Sequence, residues 1–191
     1  ISLRLVGSEM CIRDSGCTVR LFEQVFAKFG VSTEWVDFTA PEAADIIAAQ
    51  KPAMVWLESP TNPLLKVIDL ETICSAAAAA DVPVVVDNTF ATALVQRPLE
   101  LGATLSLTST TKYINGHSDA LGGVVCTDDT VWHQRMVFAQ KALGLQPSPF
   151  DCWLITRGIK TLPLRLTAQM ANAAVLADQL AQHQKVSWVR Y

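Results

Sequence analysis

The sequence predicts an α/β fold, a mostly parallel sheet with helices on both faces. Three observations carry that prediction. Short, predominantly apolar runs (Ala53 to Leu57, Pro83 to Val86, Thr104 to Leu107) read as strands buried on both sides. Segments of helical period separate them, the alternation expected of parallel strands joined by crossover helices. Polar residues (Glu58, Asp87, Ser109) follow on these runs, and ligand sites in such sheets lie beyond the carboxyl ends of the strands.

The elements follow in order. Val19, Phe22, Val25, Phe26 and Phe29 stand at helical spacing, and Gly30 suits a C-cap. Thr33 to Asp37 reads as a short strand, and Pro41 opens a helix to about Ala49, since proline is favoured in a first turn. The strand Ala53 to Leu57 runs into the turn-rich Ser59-Pro60-Thr61-Asn62-Pro63. Asp69 is a good N-cap for a helix to about Ala80, with Glu71 in its first turn. Strands are expected at Pro83 to Val86, Thr104 to Leu107 and Leu121 to Cys126. Helices are expected at Thr130 to Leu143, Phe150 to Gly158 and Leu162 to about Gln184. Leu164, Leu166, Met170, Ala173, Ala174, Ala177, Leu180 and Ala181 form the apolar set of the last one. Val186 to Val189 reads as the start of another strand, after which the chain looks cut. Ile1 to Ser15 shows neither helical nor strand period and no stretch of signal-peptide length, so it is expected to be a non-native leader joined at Ser15.

Composition narrows the class. A chain of 191 residues, half of them hydrophobic and 17% charged, can bury a real core. A formal net charge of −3 gives no electrostatic reason to expect a nucleic-acid partner. No apolar run approaches the roughly 20 residues needed to span a bilayer, so no membrane partner is expected. The five cysteines (Cys11, Cys17, Cys74, Cys126 and Cys152) are odd in number and widely spaced. That argues against a disulfide framework and against a zinc or other metal site, and for buried or semi-buried free thiols in a reducing cytoplasm.

The chemistry concentrates in Ser109-Thr110-Thr111-Lys112-Tyr113-Ile114-Asn115-Gly116-His117-Ser118 and in Asp87, which ends the run Val84-Val85-Val86. A lysine able to form a Schiff base and a carboxylate able to hold a pyridinium nitrogen are what pyridoxal 5′-phosphate (PLP) chemistry requires. Taken singly, each has a plainer reading. Lys112 alone would be a solvated lysine, Asp87 a cap, and Ser109 and Thr111 turn caps. His117 alone would be a hydrogen-bonded structural histidine.

Together these segments resemble the γ-family of fold-type I PLP enzymes, the Cys/Met-metabolism family of the cystathionine γ-synthase and γ-lyase type. The resemblance rests on Ser109 to Ser118, Glu58-Ser59-Pro60-Thr61-Asn62-Pro63, Val86-Asp87-Asn88-Thr89-Phe90 and Arg157-Gly158-Ile159-Lys160-Thr161-Leu162. It covers about Gly16 to the C-terminus. It implies a fold-type I large domain truncated at both ends. Residues 16–160 would be part of the PLP-binding domain, and 161–191 a connecting helix with the start of a C-terminal domain. It implies Lys112 as the catalytic Schiff-base lysine and Asp87 as the partner of the ring nitrogen. Ser109 and Thr111 would be phosphate ligands, Asn62 would lie near the phenolic oxygen, and Thr89 beside the ring. It further implies a small amino-acid substrate, a homotetramer, and β/γ-elimination or γ-replacement on sulfur-containing or O-acylated amino acids. Methionine γ-lyase, cystathionine β-lyase and homoserine-ester sulfhydrylase are the alternative activities, with Cys17 tilting toward methionine γ-lyase.

The match departs from the family in three places. Ser15 stands where the family has a tyrosine that stacks on the cofactor. No residue answers to the upstream Gly-Met turn and Tyr-x-Arg, nor to the downstream arginine that clamps the substrate carboxylate. These departures support a rival reading, an inert truncated fragment. A nucleotide-binding doubly wound domain is the third reading, and it lacks both G-x-G-x-x-G and a P-loop.

Overall fold

The computed structural model describes residues 2–6 and 17–191. They form a six-stranded sheet in the order β2-β1-β3-β4-β5-β6. The strands are β1 (Ser2–Val6), β2 (Ser32–Trp35), β3 (Val55–Glu58), β4 (Val84–Asp87), β5 (Leu105–Ser109) and β6 (Gly123–Cys126). β1 pairs in parallel with β2 and β3, β3 with β4, and β4 with β5. The predicted parallel α/β architecture is therefore observed.

The helices are α1 (Cys17–Arg20), α2 (Ala43–Gln50), α3 (Leu70–Ala79), α4 (Thr92–Val95), α5 (Thr130–Leu143), α6 (Pro149–Ile159) and α7 (Leu162–Ala181). α1 continues through a wide π turn, Leu21–Val25, and a tight 3-10 turn, Phe26–Phe29, before Gly30 closes it at φ 76°. Asp69 caps α3 as expected, its Oδ1 accepting the Thr72 N–H at 3.1 Å.

Strand alternation explains how the sheet is covered. Successive side chains point to opposite faces, yet Val84, Val85 and Val86 are all buried. On one face Val55, Leu57, Val84 and Val86 pack with Ala43 and Ile47 of α2 and with Ile73, Cys74 and Ala77 of α3. On the other, Trp56 meets Phe22 of the α1 segment edge to face, with ring centroids 5.6 Å apart.

The chain divides into two compact units, Ile1–Thr108 with Val124–Gln146, and Ser109–Gly123 with Pro147–Tyr191. The core just described lies in the first unit. In the second, Leu162 and Leu166 of α7 are buried, while Leu164 is 75% and Leu180 47% exposed. Much of the apolar set expected to face a core is therefore open.

Three expectations fail. Ser2–Val6 of the supposed leader is a strand between β2 and β3. Without it, two rows of main-chain donors and acceptors would lack partners. Residues 7–16 lie outside the described residues. Val186 to Val189 forms no strand, for no strand is paired with it to complete a ladder. Cys126 and Cys152 are exposed, and of the thiols whose burial is described only Cys74 is buried. Burial pushes the Cys74 thiol up to about 11.

Ile47 is fully buried in the first unit's core. Ile47→Ala is expected to lower the unfolding free energy by about 2–5 kcal/mol, read from the urea midpoint of far-UV circular dichroism.

Candidate active site

In the first unit, β3 and β4 end side by side, and Glu58 is the register partner of Asp87. Alternation places both carboxylates on the Trp56 and Val85 face of the sheet. Burial, then the negative charge of Asp87, pushes Glu58 up to about 7; the Asn62 N–H, donating to the Glu58 carboxylate, opposes them. Asp87 Oδ1 accepts the Thr89 N–H at 3.0 Å, a tight turn that holds Thr89 beside its own carboxylate.

Buried polar groups hold the loops that follow these strands. Ser59 and Thr61 are buried. Ser59 Oγ accepts the Ile68 N–H at 3.1 Å, and Thr61 Oγ1 accepts the Lys66 N–H at 2.9 Å. Lys66 Nζ reaches Asp37 Oδ2 at 2.6 Å. That ammonium, with the Thr39 hydroxyl, holds the Asp37 carboxyl below the usual range. Asn62 is exposed on this anchored loop. After β4, buried Asn88 donates from Nδ2 to Gln96 O at 2.8 Å. Gln96 Nε2 donates to Asn88 Oδ1 and to Ser59 O at 2.9 and 2.8 Å. One side-chain amide thus ties together the Asn62 loop and the Asp87 loop.

In the second unit, Ser109 occupies the N-cap position of the wide turn Thr110–Ile114 without a side-chain capping bond, and the turn breaks from helical geometry at Lys112 (φ −90°, ψ −121°). Lys112 is exposed and lines an open cleft of about 840 Å³ with Ser118, Asp119, Asp151 and Gln169. Thr111 Oγ1 accepts the Gly122 N–H at 3.0 Å and donates to Gly122 O at 3.3 Å. Its hydroxyl proton would have to leave Gly122 to reach a phosphate. Two buried oxygens on this turn, Thr110 Oγ1 and Asn115 Oδ1, have no hydrogen-bond partner among the described residues. His117 Nδ1 donates to Asn115 O at 2.7 Å, a structural role.

The predicted residues therefore fall into two sets. Asp87, Thr89 and Asn62 gather at the strand ends of the first unit, and Ser109, Thr111 and Lys112 lie on one turn of the second. The donor set fits PLP in kind. It holds a carboxylate for a protonated ring nitrogen, hydroxyls for a phosphate and a primary amine for an aldehyde. Sequence reasoning missed Asn88 and Gln96 as anchors. It named Glu58 as a polar strand end but not as a partner of Asp87, because the pairing depends on a register no local pattern shows. Ser15 and Gly16 lie outside the described residues.

Glu58 yields a prediction with a definite sign. Its folded value, about 7, lies above its ordinary 4.5, so the native state holds the proton more tightly than the unfolded chain. The stability it contributes is present below the ordinary value and is lost as pH rises through the folded one. Urea midpoints of the parent are expected to fall as pH is raised from about 5 to about 8, and Glu58→Gln to flatten that slope.

The family model described as Cys/Met metabolism PLP-dependent enzyme matches residues 3–191. A probable cystathionine gamma-synthase of Herpetosiphon aurantiacus is 43% identical over 176 residues, 92% of this chain and 55% of that protein. A cystathionine gamma-lyase of Sus scrofa is 42% identical over 177 residues, 92% of this chain and 44% of that protein. The crystal structure of cystathionine gamma synthase from Xanthomonas oryzae pv. oryzae, in complex with aminoacrylate and cysteine, superposes with a TM-score of 0.88 at 41% identity. It covers 96% of this chain and 46% of that one. The chain spans about half the length of the curated relatives it matches.

Proposed function

The chain belongs to the Cys/Met metabolism PLP-dependent enzyme family, and we propose that it carries the cofactor-holding part of an enzyme acting on sulfur-containing or O-acylated amino acids. The reaction is β/γ-elimination or γ-replacement, of the cystathionine γ-synthase or γ-lyase type. A synthase and a lyase resemble the chain almost equally, at 43% and 42% identity. Overall likeness therefore does not choose between them. In this reading residues 16–160 belong to the cofactor-binding domain and 161–191 to the helix leaving it. The protein works in the cytoplasm as a homotetramer on a small amino-acid substrate. No helix among the described residues is long and apolar enough to cross a membrane.

PLP, when bound, supplies an electron sink for a carbanion at the substrate's α carbon. The roles of this chain's residues follow from their chemistry. Asp87 holds a proton on the ring nitrogen. Glu58, keeping its own proton up to about 7, avoids placing a second full negative charge beside Asp87. Ser109 and Thr111 would offer hydroxyls to the phosphate, Asn62 would lie near the phenolic oxygen, and Thr89 beside the ring. Lys112 Nζ would be the amine that attaches the cofactor, and once freed it could carry protons to and from the substrate's α and β carbons.

The observation that carries the reading is the exposed amine of Lys112 on a turn that also bears Ser109 and Thr111. Added PLP is expected to give the chain a visible absorption band that Lys112→Ala abolishes. Borohydride treatment should then fix the cofactor to the peptide containing Lys112, as read by mass spectrometry. A chain that gains no band is the inert fragment instead, and a band kept in Lys112→Ala overturns Lys112 as the attachment point.

A further inference from the structure

Accepting Lys112 as the attachment point, we propose that Arg165 is its positioning residue: the guanidinium of Arg165 clamps the main chain after Lys112 and so fixes where the lysine amine is presented. The observation is a fork of four hydrogen bonds within the second unit. Arg165 Nη1 donates to Tyr113 O at 2.9 Å, and Nη2 donates to Ile114 O at 3.2 Å and to Gly158 O at 3.0 Å. Nε donates to Thr161 Oγ1 at 2.9 Å. The two residues immediately following Lys112 thus have their carbonyls held by one planar cation, a geometry that guanidinium provides and ammonium does not.

Two glycines make room for this clamp. Gly116 sits at φ 78°, and a Cβ there would lie 2.1 Å from Arg165 Nη1. A Cβ on Gly158 would lie 2.2 Å from Asn115 O, so α6 approaches the turn only because that side chain is absent. The turn is also closed on itself. Asn115 N–H donates to Thr110 O at 3.0 Å and Gly116 N–H to Lys112 O at 2.8 Å. Arg165 adds its own bonds to the two carbonyls between them, Tyr113 O and Ile114 O. Lys112, exposed and at the break in the turn, has its backbone direction set by the clamp.

The test separates positioning from general stability. Arg165→Met keeps an unbranched apolar stem without the fork, Arg165→Lys keeps the charge, and Leu166→Ala, at a buried neighbour on α7, serves as the stability control. In the chain without PLP, hydrogen exchange at Asn115 and Gly116 is expected to speed up about tenfold or more in Arg165→Met, as loss of charge-assisted bonds implies. Leu166→Ala should not produce this effect at matched loss of stability. With PLP added, Arg165→Met should weaken cofactor binding about tenfold and shift the pH midpoint of the visible band, with Arg165→Lys intermediate. Unchanged exchange at the two amides, or cofactor binding that falls only in step with stability in both variants, overturns the role of Arg165. Absence of a Lys112-dependent band in the parent chain overturns instead the reading on which it rests.

Discussion

The register of β3 against β4 is the constraint on which the rest of the first unit depends. Val55 pairs with Val84 and Leu57 with Val86, and all four bury in one core with α2 and α3. A slip of one residue would send these side chains to the opposite face, so apolar burial fixes the register strongly. Once it is fixed, the ladder must bring Glu58 beside Asp87. Burial first, and then repulsion from Asp87, makes Glu58 keep its proton up to about 7. The acidic pair is therefore a consequence of packing several residues away.

The same constraint explains what could be read from the sequence. β3 and β4 were legible because nearly every residue in them is apolar, and Asp69 and Gly30 because helix ends have local chemistry. The family was legible because the motifs around Asp87 and Lys112 keep their order and spacing. β1 was not. Ser2–Val6 acquires its meaning only from β2 and β3 on either side, and long-range pairing leaves no trace in a short stretch of sequence. Val186 to Val189 shows the converse, a strand-like composition with no pairing strand among the described residues. The wide turns at Leu21–Val25 and Thr110–Ile114 were likewise illegible, since they depend on where the flanking residues are anchored.

The run Arg157 to Leu162 supported the family resemblance without an evident reason for its residues. Gly158 and Thr161 now have one. The first lets a helix touch the Asn115 backbone, and its carbonyl accepts from Arg165. The second offers Arg165 a hydroxyl one helical turn earlier and donates that hydroxyl's proton to Gly158 O at 3.1 Å. Both feed the same guanidinium. What looked like a sequence signature is a seat for an arginine four positions further on.

Each unit, taken by itself, solves one problem in the same way. A side chain that must meet a ligand has to be exposed, and an exposed residue on an unanchored loop gains mobility that binding must then remove. In the first unit, exposed Asn62 directly follows buried Thr61, and Ser59, Asn88 and Gln96 knit the loop to its neighbour. In the second, exposed Lys112 stands between buried Thr110 and buried Asn115. Apolar anchors would bury more surface but would not set direction, because apolar contacts are not oriented whereas hydrogen bonds are. Burying polar groups costs free energy unless they are bonded, and most of those around Asn62 are. That cost is accepted where orientation matters more than stability, so under the proposed function the buried hydroxyls and amides beside Asn62 and Lys112 would serve the site and not the core.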